Sequence, residues 1–264
     1  MTLWTWKTWQ DRPFLTCSLL PQPHGFFTQH FYPQSPKELA NALSPEAQVY
    51  RVKQVHSGDV LTPTEIETAL EAGLPPLPGG TEATFPPADG IVSERSSQAV
   101  WACSADCTPA LIGDISTGQV SAVHAGWRGT AQKILPEAVA KLEAQGSQLQ
   151  NLRIALGPAI DGSVYQVGTD VATKVGITVA PHLQGDALIE HLMSISNPPV
   201  LHDSSSERVR LDVRRINQMQ LEQLGIGADQ IAIAPYCTYQ DPENFFSYRR
   251  TKEKKVQWSG IVSR

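Results

Sequence analysis

The stretch that most constrains this chain is Val120-Ser-Ala-Val-His-Ala125, followed at once by Gly126-Trp-Arg-Gly129. A short run of small, β-branched and apolar residues reads as a buried strand. The two glycines that follow permit a tight turn and a close approach to the backbone. A strand that carries a histidine at its end delivers a functional side chain to the edge of a sheet. Two other strand-like segments finish the same way. Arg51-Val-Lys-Gln-Val55 runs into His56-Ser-Gly58, and Val100-Trp-Ala-Cys-Ser104 runs into Ala105-Asp-Cys-Thr-Pro109. Two imidazoles and a thiol are borderline and soft donors, so a metal site in a cleft is the leading reading.

Composition narrows what surrounds such a site. A chain of 264 residues with 41% hydrophobic content can bury one sizeable core, and mixed folds of this length are common as single units. The net charge of −5, with lysines and arginines scattered, argues against a nucleic-acid surface. No apolar run reaches the roughly 18 residues of a membrane span, and Met1-Thr-Leu-Trp-Thr-Trp-Lys7 has no signal-peptide pattern. A soluble, cytoplasmic protein without membrane or nucleic-acid partners is expected. In that compartment the four cysteines, Cys17, Cys103, Cys107 and Cys237, are read as free thiols. Cys103 is read as a core residue.

Periodicity predicts strands near 49–55, 89–94, 152–156, 165–167, 231–236 and 256–262. It predicts helices near 130–145, 169–176, 185–194 and 212–224. The helix over 130–145 presents Ile134, Leu135, Ala138, Val139 and Leu142 on one face, with Pro136 as its awkward member. The proline- and glycine-rich stretch from Leu74 to Pro87 is read as an insertion. Strands and helices alternate irregularly. The fold class is therefore α+β, a mixed β-sheet core with flanking helices, in one domain over 1–264.

Six segments follow one another in order: Lys53-Gln-Val-His-Ser-Gly-Asp59, Ala88-Asp-Gly-Ile-Val-Ser93, Ala105-Asp-Cys107, His124-Ala-Gly-Trp-Arg-Gly129, Leu156-Gly-Pro-Ala159 and Phe245-Phe-Ser-Tyr-Arg-Arg250. Together they resemble the laccase-domain family, also known as the YfiH-like or multicopper polyphenol oxidase family, over roughly residues 49–250. The resemblance implies a zinc held by His56, Cys107 and His124, with copper as the second choice of metal. It implies phosphorolysis of adenosine, inosine and methylthioadenosine, together with adenosine deamination. The partners implied are a purine nucleoside and phosphate, and the reading allows a homodimer. Cys107, His124, Asp89 and Asp106 are the candidate catalytic residues, the two aspartates either orienting a ligand histidine or carrying protons. Arg128, Tyr248, Arg249, Arg250 and Cys237 are the candidate substrate-binding residues, the arginines as anion holders. The amino-terminal part departs from the family pattern, with Gln29 where an arginine is expected.

Other classes stay in view or fall. The seven histidines include no His-x-His pair, which excludes a true multicopper centre, and neither His-x-Glu nor Pro-Cys-x-x-Cys of the classical nucleoside deaminases occurs. A cysteine hydrolase using Cys107 and His124, or a zinc-stabilised binding module for cell-wall precursors, are the alternatives.

Overall fold

Alternation along the strand Val120–Ala125 sets the layer order. Val120 and Ala122 point into a core shared with Leu15, Phe26, Val100 and Ile261, whereas Val123 and Ala125 pack with Ile134, Leu135 and Ala138. A strand buried on both faces belongs to a central layer. The computed structural model describes residues 3–74, 84–205 and 207–264. In it a six-stranded sheet holds the strands Ile231–Ile233, Leu152–Leu156, Thr108–Asp114, Val120–Ala125, Gly90–Val92 and Val60–Leu61 in that order. A second six-stranded sheet runs Trp4–Trp9, Arg12–Cys17, His24–Phe27, Gln257–Val262, Gln98–Ser104 and Gln48–Tyr50. The two face each other across the first core, and the helices Ile134–Ala144 and Val213–Gln223 cover the far side of the first sheet. A three-stranded sheet, Gln166–Gly168, Arg208–Leu211 and Val200–His202, packs with the helices Thr169–Gly176 and Gly185–Ser194 around its own cluster. Both large sheets are mixed: Gln48–Tyr50 and Ile231–Ile233 pair in parallel with their neighbours, and most other pairs are antiparallel. The α+β expectation holds, and no helix among the described residues is long and apolar enough to cross a membrane.

Several boundaries differ from the periodic reading, each for a local reason. The strand expected over 49–55 ends at Tyr50, and the Val55 N–H is taken by the Asp89 carboxylate instead of a neighbouring strand. The strand expected over 231–236 ends at Ile233, since the carbonyls of Ala234 and Tyr236 accept from the buried Arg214 guanidinium. The helix expected over 130–145 is two helices, Trp127–Ala131 and Ile134–Ala144, parted by Gln132 and by Lys133 at φ 58. Pro136 then falls in the first turn of the second helix, where an N–H has no intrahelical acceptor to lose. The amino-terminal hairpin was not foreseen. Its turn is Gln10-Asp11, both at positive φ, in place of the Asn-Gly type of signal that marks such turns. Most of the stretch read as an insertion, residues 75–83, lies outside the described residues.

Candidate active site and metal centre

The three donors meet. Ligand atoms of His56, Cys107 and His124 all lie within 4.8 Å of one another, although the two histidines are 68 positions apart in the sequence. The imidazole centroids are 5.0 Å apart and the rings stand nearly perpendicular. His124 is buried at the end of its strand, Cys107 is half-buried in the turn between the strands Gln98–Ser104 and Thr108–Asp114, and His56 is exposed on a loop.

Local sequence explains each placement. His124 continues the side of Val120 and Ala122, so it points between the two sheets where their ends open. Asp106, at φ 98, turns the chain immediately before Cys107. Its buried carboxylate secures that turn by accepting from the Thr238 hydroxyl and from the Arg249 N–H, both at 2.7 Å. Gly126 is the start of the short helix Trp127–Ala131 and has an ordinary negative φ of −71°, so the Gly-Trp-Arg-Gly sequence is a helix entry and not a tight turn. Its glycine serves space. A Cβ there would stand 2.8 Å from the Cys107 Sγ and 3.5 Å from a His56 ring carbon.

Asp89 is almost wholly buried, and its two oxygens divide the work. Oδ1 lies 2.7 Å from His124 Nδ1, while Oδ2 accepts the N–H groups of Val55 and Ser57 on either side of His56. One carboxylate thereby fixes the tautomer of one histidine, leaving Nε2 for the site, and the loop that carries the other. Burial opposes charge on His124, but Cys107 and Asp89 outweigh it and raise the imidazole to about 10. Burial likewise opposes the Cys107 thiolate, but His124 and His56 prevail and bring the thiol down to about 6. A thiolate with two imidazoles, one of them oriented by a carboxylate, fits a zinc-type centre that keeps an open position.

The triad opens into a cavity of about 600 Å³. Trp127, Tyr165 and Tyr248 supply its aromatic surface, with Arg128 stacked 4.4 Å over Trp127 and Arg249 4.8 Å over Tyr165. Burial pushes the Tyr165 hydroxyl up to about 12, which keeps it protonated. Five cations, Arg128, Arg249, Lys252, Lys254 and Lys255, face only two carboxylates in the wall, Asp106 and Glu253. Cys103 also lines the cavity, and burial pushes its thiol up to about 12. A second cavity, of about 330 Å³ between Lys7, Gln22, His24 and Arg264, brings together no comparable donor group.

Three candidates from the sequence do not line the cavity: Asp89, which stands behind His124, Arg250 and Cys237. The Arg250 guanidinium is engaged by the carbonyls of Thr238, Tyr239 and Phe245 at 2.6–2.9 Å, which leaves it a brace for the loop before its helix. Cys237 lies behind the wall, its sulfur accepting from the Asp161 N–H at 3.2 Å. Arg249 does line the cavity, although one of its nitrogens donates to the Gln166 carbonyl. Gln29, standing where an arginine is expected, donates to the carbonyls of Pro242 and Glu243 and so anchors the same loop as Arg250. The sequence reading missed Tyr165, Gln54 and the lysines of 252–255 as wall residues. Of these only the run Lys252-Glu-Lys-Lys255, directly after Arg249-Arg250, offered a signal, as a local excess of positive charge.

Comparison with known proteins places this fold in a family. The family model described as multi-copper polyphenol oxidoreductase laccase matches residues 34–263. A purine nucleoside phosphorylase of Synechocystis sp. is 53% identical over 99% of this chain and 97% of its own length. An adenosine deaminase from an unknown prokaryotic organism is 27% identical over 64% of this chain and 59% of its own. Among solved structures, YlmD from Geobacillus stearothermophilus superposes with a TM-score of 0.75 at 22% identity, covering 97% of this chain and 98% of that one. With the family model spanning residues 34–263 and a relative 53% identical over nearly the whole chain, the chain belongs to the multi-copper polyphenol oxidoreductase laccase family.

Proposed function

We propose that this chain is a zinc-dependent purine nucleoside phosphorylase acting on adenosine, inosine and methylthioadenosine, with adenosine deaminase activity. The observation that carries the reading is the convergence of His56, Cys107 and His124 in a cavity that also presents arginines and aromatic rings. The full-length likeness to a purine nucleoside phosphorylase supports the first activity, and the more distant likeness to an adenosine deaminase supports the second.

His56, Cys107 and His124 would hold the zinc, which supplies Lewis acidity when bound. The chain's own residues supply the rest. Trp127, Tyr165 and Tyr248 offer faces for a purine. Arg128 and the free edge of Arg249 offer charge-assisted hydrogen bonds to phosphate. In phosphorolysis an oxygen of hydrogen phosphate bonds to the anomeric carbon as the carbon–nitrogen bond breaks, and the purine nitrogen leaves with the proton that the phosphate gives up. In deamination water adds at the purine carbon that carries the amino group, and ammonia leaves. Asp89 and Asp106 act as positioning residues here, since both oxygens of each carboxylate already accept hydrogen bonds.

Product analysis with adenosine, with and without phosphate, tests the proposal alongside metal analysis of the purified protein. Adenine plus ribose 1-phosphate that depends on phosphate, and zinc near one ion per chain, are the expected results. Full turnover in metal-free protein would instead favour a cysteine nucleophile. Only phosphorolysis needs the anion holders, so Arg249→Ala should separate the two chemistries. The loss of up to two strong hydrogen bonds should raise the phosphate concentration for half-maximal rate roughly tenfold or more, while inosine formation is spared. Equal loss of both activities would make Arg249 a residue of pocket shape, through Gln166 and Tyr165.

A further inference from the structure

We infer that Gln132, a residue outside every recognised motif, is a positioning residue for the metal ligand His56. The inference rests on the reading that the triad holds a metal. Four observations meet at this side chain. Its amide grips the His56 loop from both sides, accepting from the Gly58 N–H at 3.2 Å and donating to the His56 carbonyl at 3.3 Å. The same nitrogen donates to the Arg128 carbonyl at 3.1 Å, which ties the loop to the helix Trp127–Ala131 that follows His124. Backbone packing marks the same contact, for a Cβ on Gly58 would stand 2.8 Å from the Gln132 Cβ. Finally, the helical run breaks at this residue, with Gln132 closing the first helix and Lys133 left-handed before the second.

The loop needs such a grip. His56 is exposed and sits at φ 63, a left-handed conformation that non-glycine residues hold only when their surroundings enforce it. Asp89 enforces it from the buried side through the N–H groups of Val55 and Ser57. Gln132 does so from the solvent side through the residues at and after His56. The ligand is therefore held between two polar side chains that approach the same loop from different elements. Removal of the outer one frees His56 to leave the triad while His124 and Cys107 stay in place.

Gln132 is exposed, so its replacement leaves the core untouched. Zinc affinity of Gln132→Ala, read by competition with a chromophoric chelator, should fall about tenfold, within the range usual for residues that orient a metal ligand. The thiolate-to-metal absorption of the cobalt-loaded protein should shift as well, which a merely structural glutamine would not cause. Gly58→Ala, which displaces the loop by another route, should give a similar loss. The decisive comparison uses His56→Ala as background. Since Gln132 acts through His56, Gln132→Ala should add nothing there. Zinc affinity of Gln132→Ala within twofold of the parent, or an undiminished effect in the His56→Ala background, overturns the inference. Failure of the parent protein to take up zinc or cobalt at all would overturn the metal reading itself, a separately visible outcome.

Discussion

Cys107→Ala is expected to give a folded protein that has lost its metal and nearly all turnover. The residue sits in a turn at the cavity and not among the packed side chains of any core cluster. Its loss therefore opens little apolar void. What it removes is one donor of three, and with it the negative charge that holds the two imidazoles together. The fall in turnover should exceed the roughly 10–100-fold typical of losing a residue that only orients a ligand. Metal content, circular dichroism and phosphorolysis rate measured on one preparation check it. A variant that keeps its rate after losing its metal would show that the metal is not catalytic.

Asp89→Ala should be the more damaging change to the fold. It leaves the buried His124 Nδ1–H and the part-buried N–H groups of Val55 and Ser57 without their acceptor. Breaking a buried hydrogen-bonded pair costs about 3 kcal/mol, which for a chain of this size corresponds to a fall in Tm of roughly 6–12 °C. Asp89→Asn is the instructive companion. An asparagine has one accepting and one donating end, whereas both positions here face donors, so either orientation points an amide N–H at another N–H. Asn should thus restore shape without restoring zinc affinity. Thermal melts of metal-free protein and zinc titration check the two halves, and an Asn variant with the parent's zinc affinity would refute the divided role of the two oxygens.

How much of this was legible in the sequence depends on the range of the interaction involved. The His124 strand, the helices at 169–176 and 185–194 and the strand at 152–156 follow from local periodicity, and the structure places them within about a residue of the expected bounds. Boundaries failed where a side chain from elsewhere took over the backbone, as Asp89 does at Val55 and Arg214 at Ala234. Such contacts leave no periodic trace. The convergence of the three donors was legible through ordered motifs, because each motif marks the end of a strand or a tight loop. The roles of motif arginines were less so. Arg249 and Arg250 are adjacent and chemically alike, yet one faces the cavity and the other is buried in carbonyls. Which way a neighbour points is fixed by the short helix Tyr248–Thr251, too brief to be read from its own residues. Gln132 was invisible for a related reason, since its meaning lies in a break within a helical pattern that looks continuous.

The cavity wall also has a kinetic consequence. The chain as a whole is acidic, at −5, while five cations face two carboxylates around the opening of the site. The net negative charge of the chain opposes an incoming anion while the excess of cations in the cavity wall attracts it, an arrangement that speeds encounter at low ionic strength. A neutral nucleoside is indifferent to this field and arrives by diffusion alone. Under the proposed phosphorolysis, departure would be asymmetric in the opposite sense, since a sugar phosphate would have to climb out of the potential that draws phosphate in, whereas the free base would not. On that proposal, release of the charged product is the step expected to limit the cycle. Added salt should slow capture of phosphate, seen in kcat/KM, while relieving that bottleneck and raising kcat; a kcat that falls with salt in step with kcat/KM would place the slow step elsewhere.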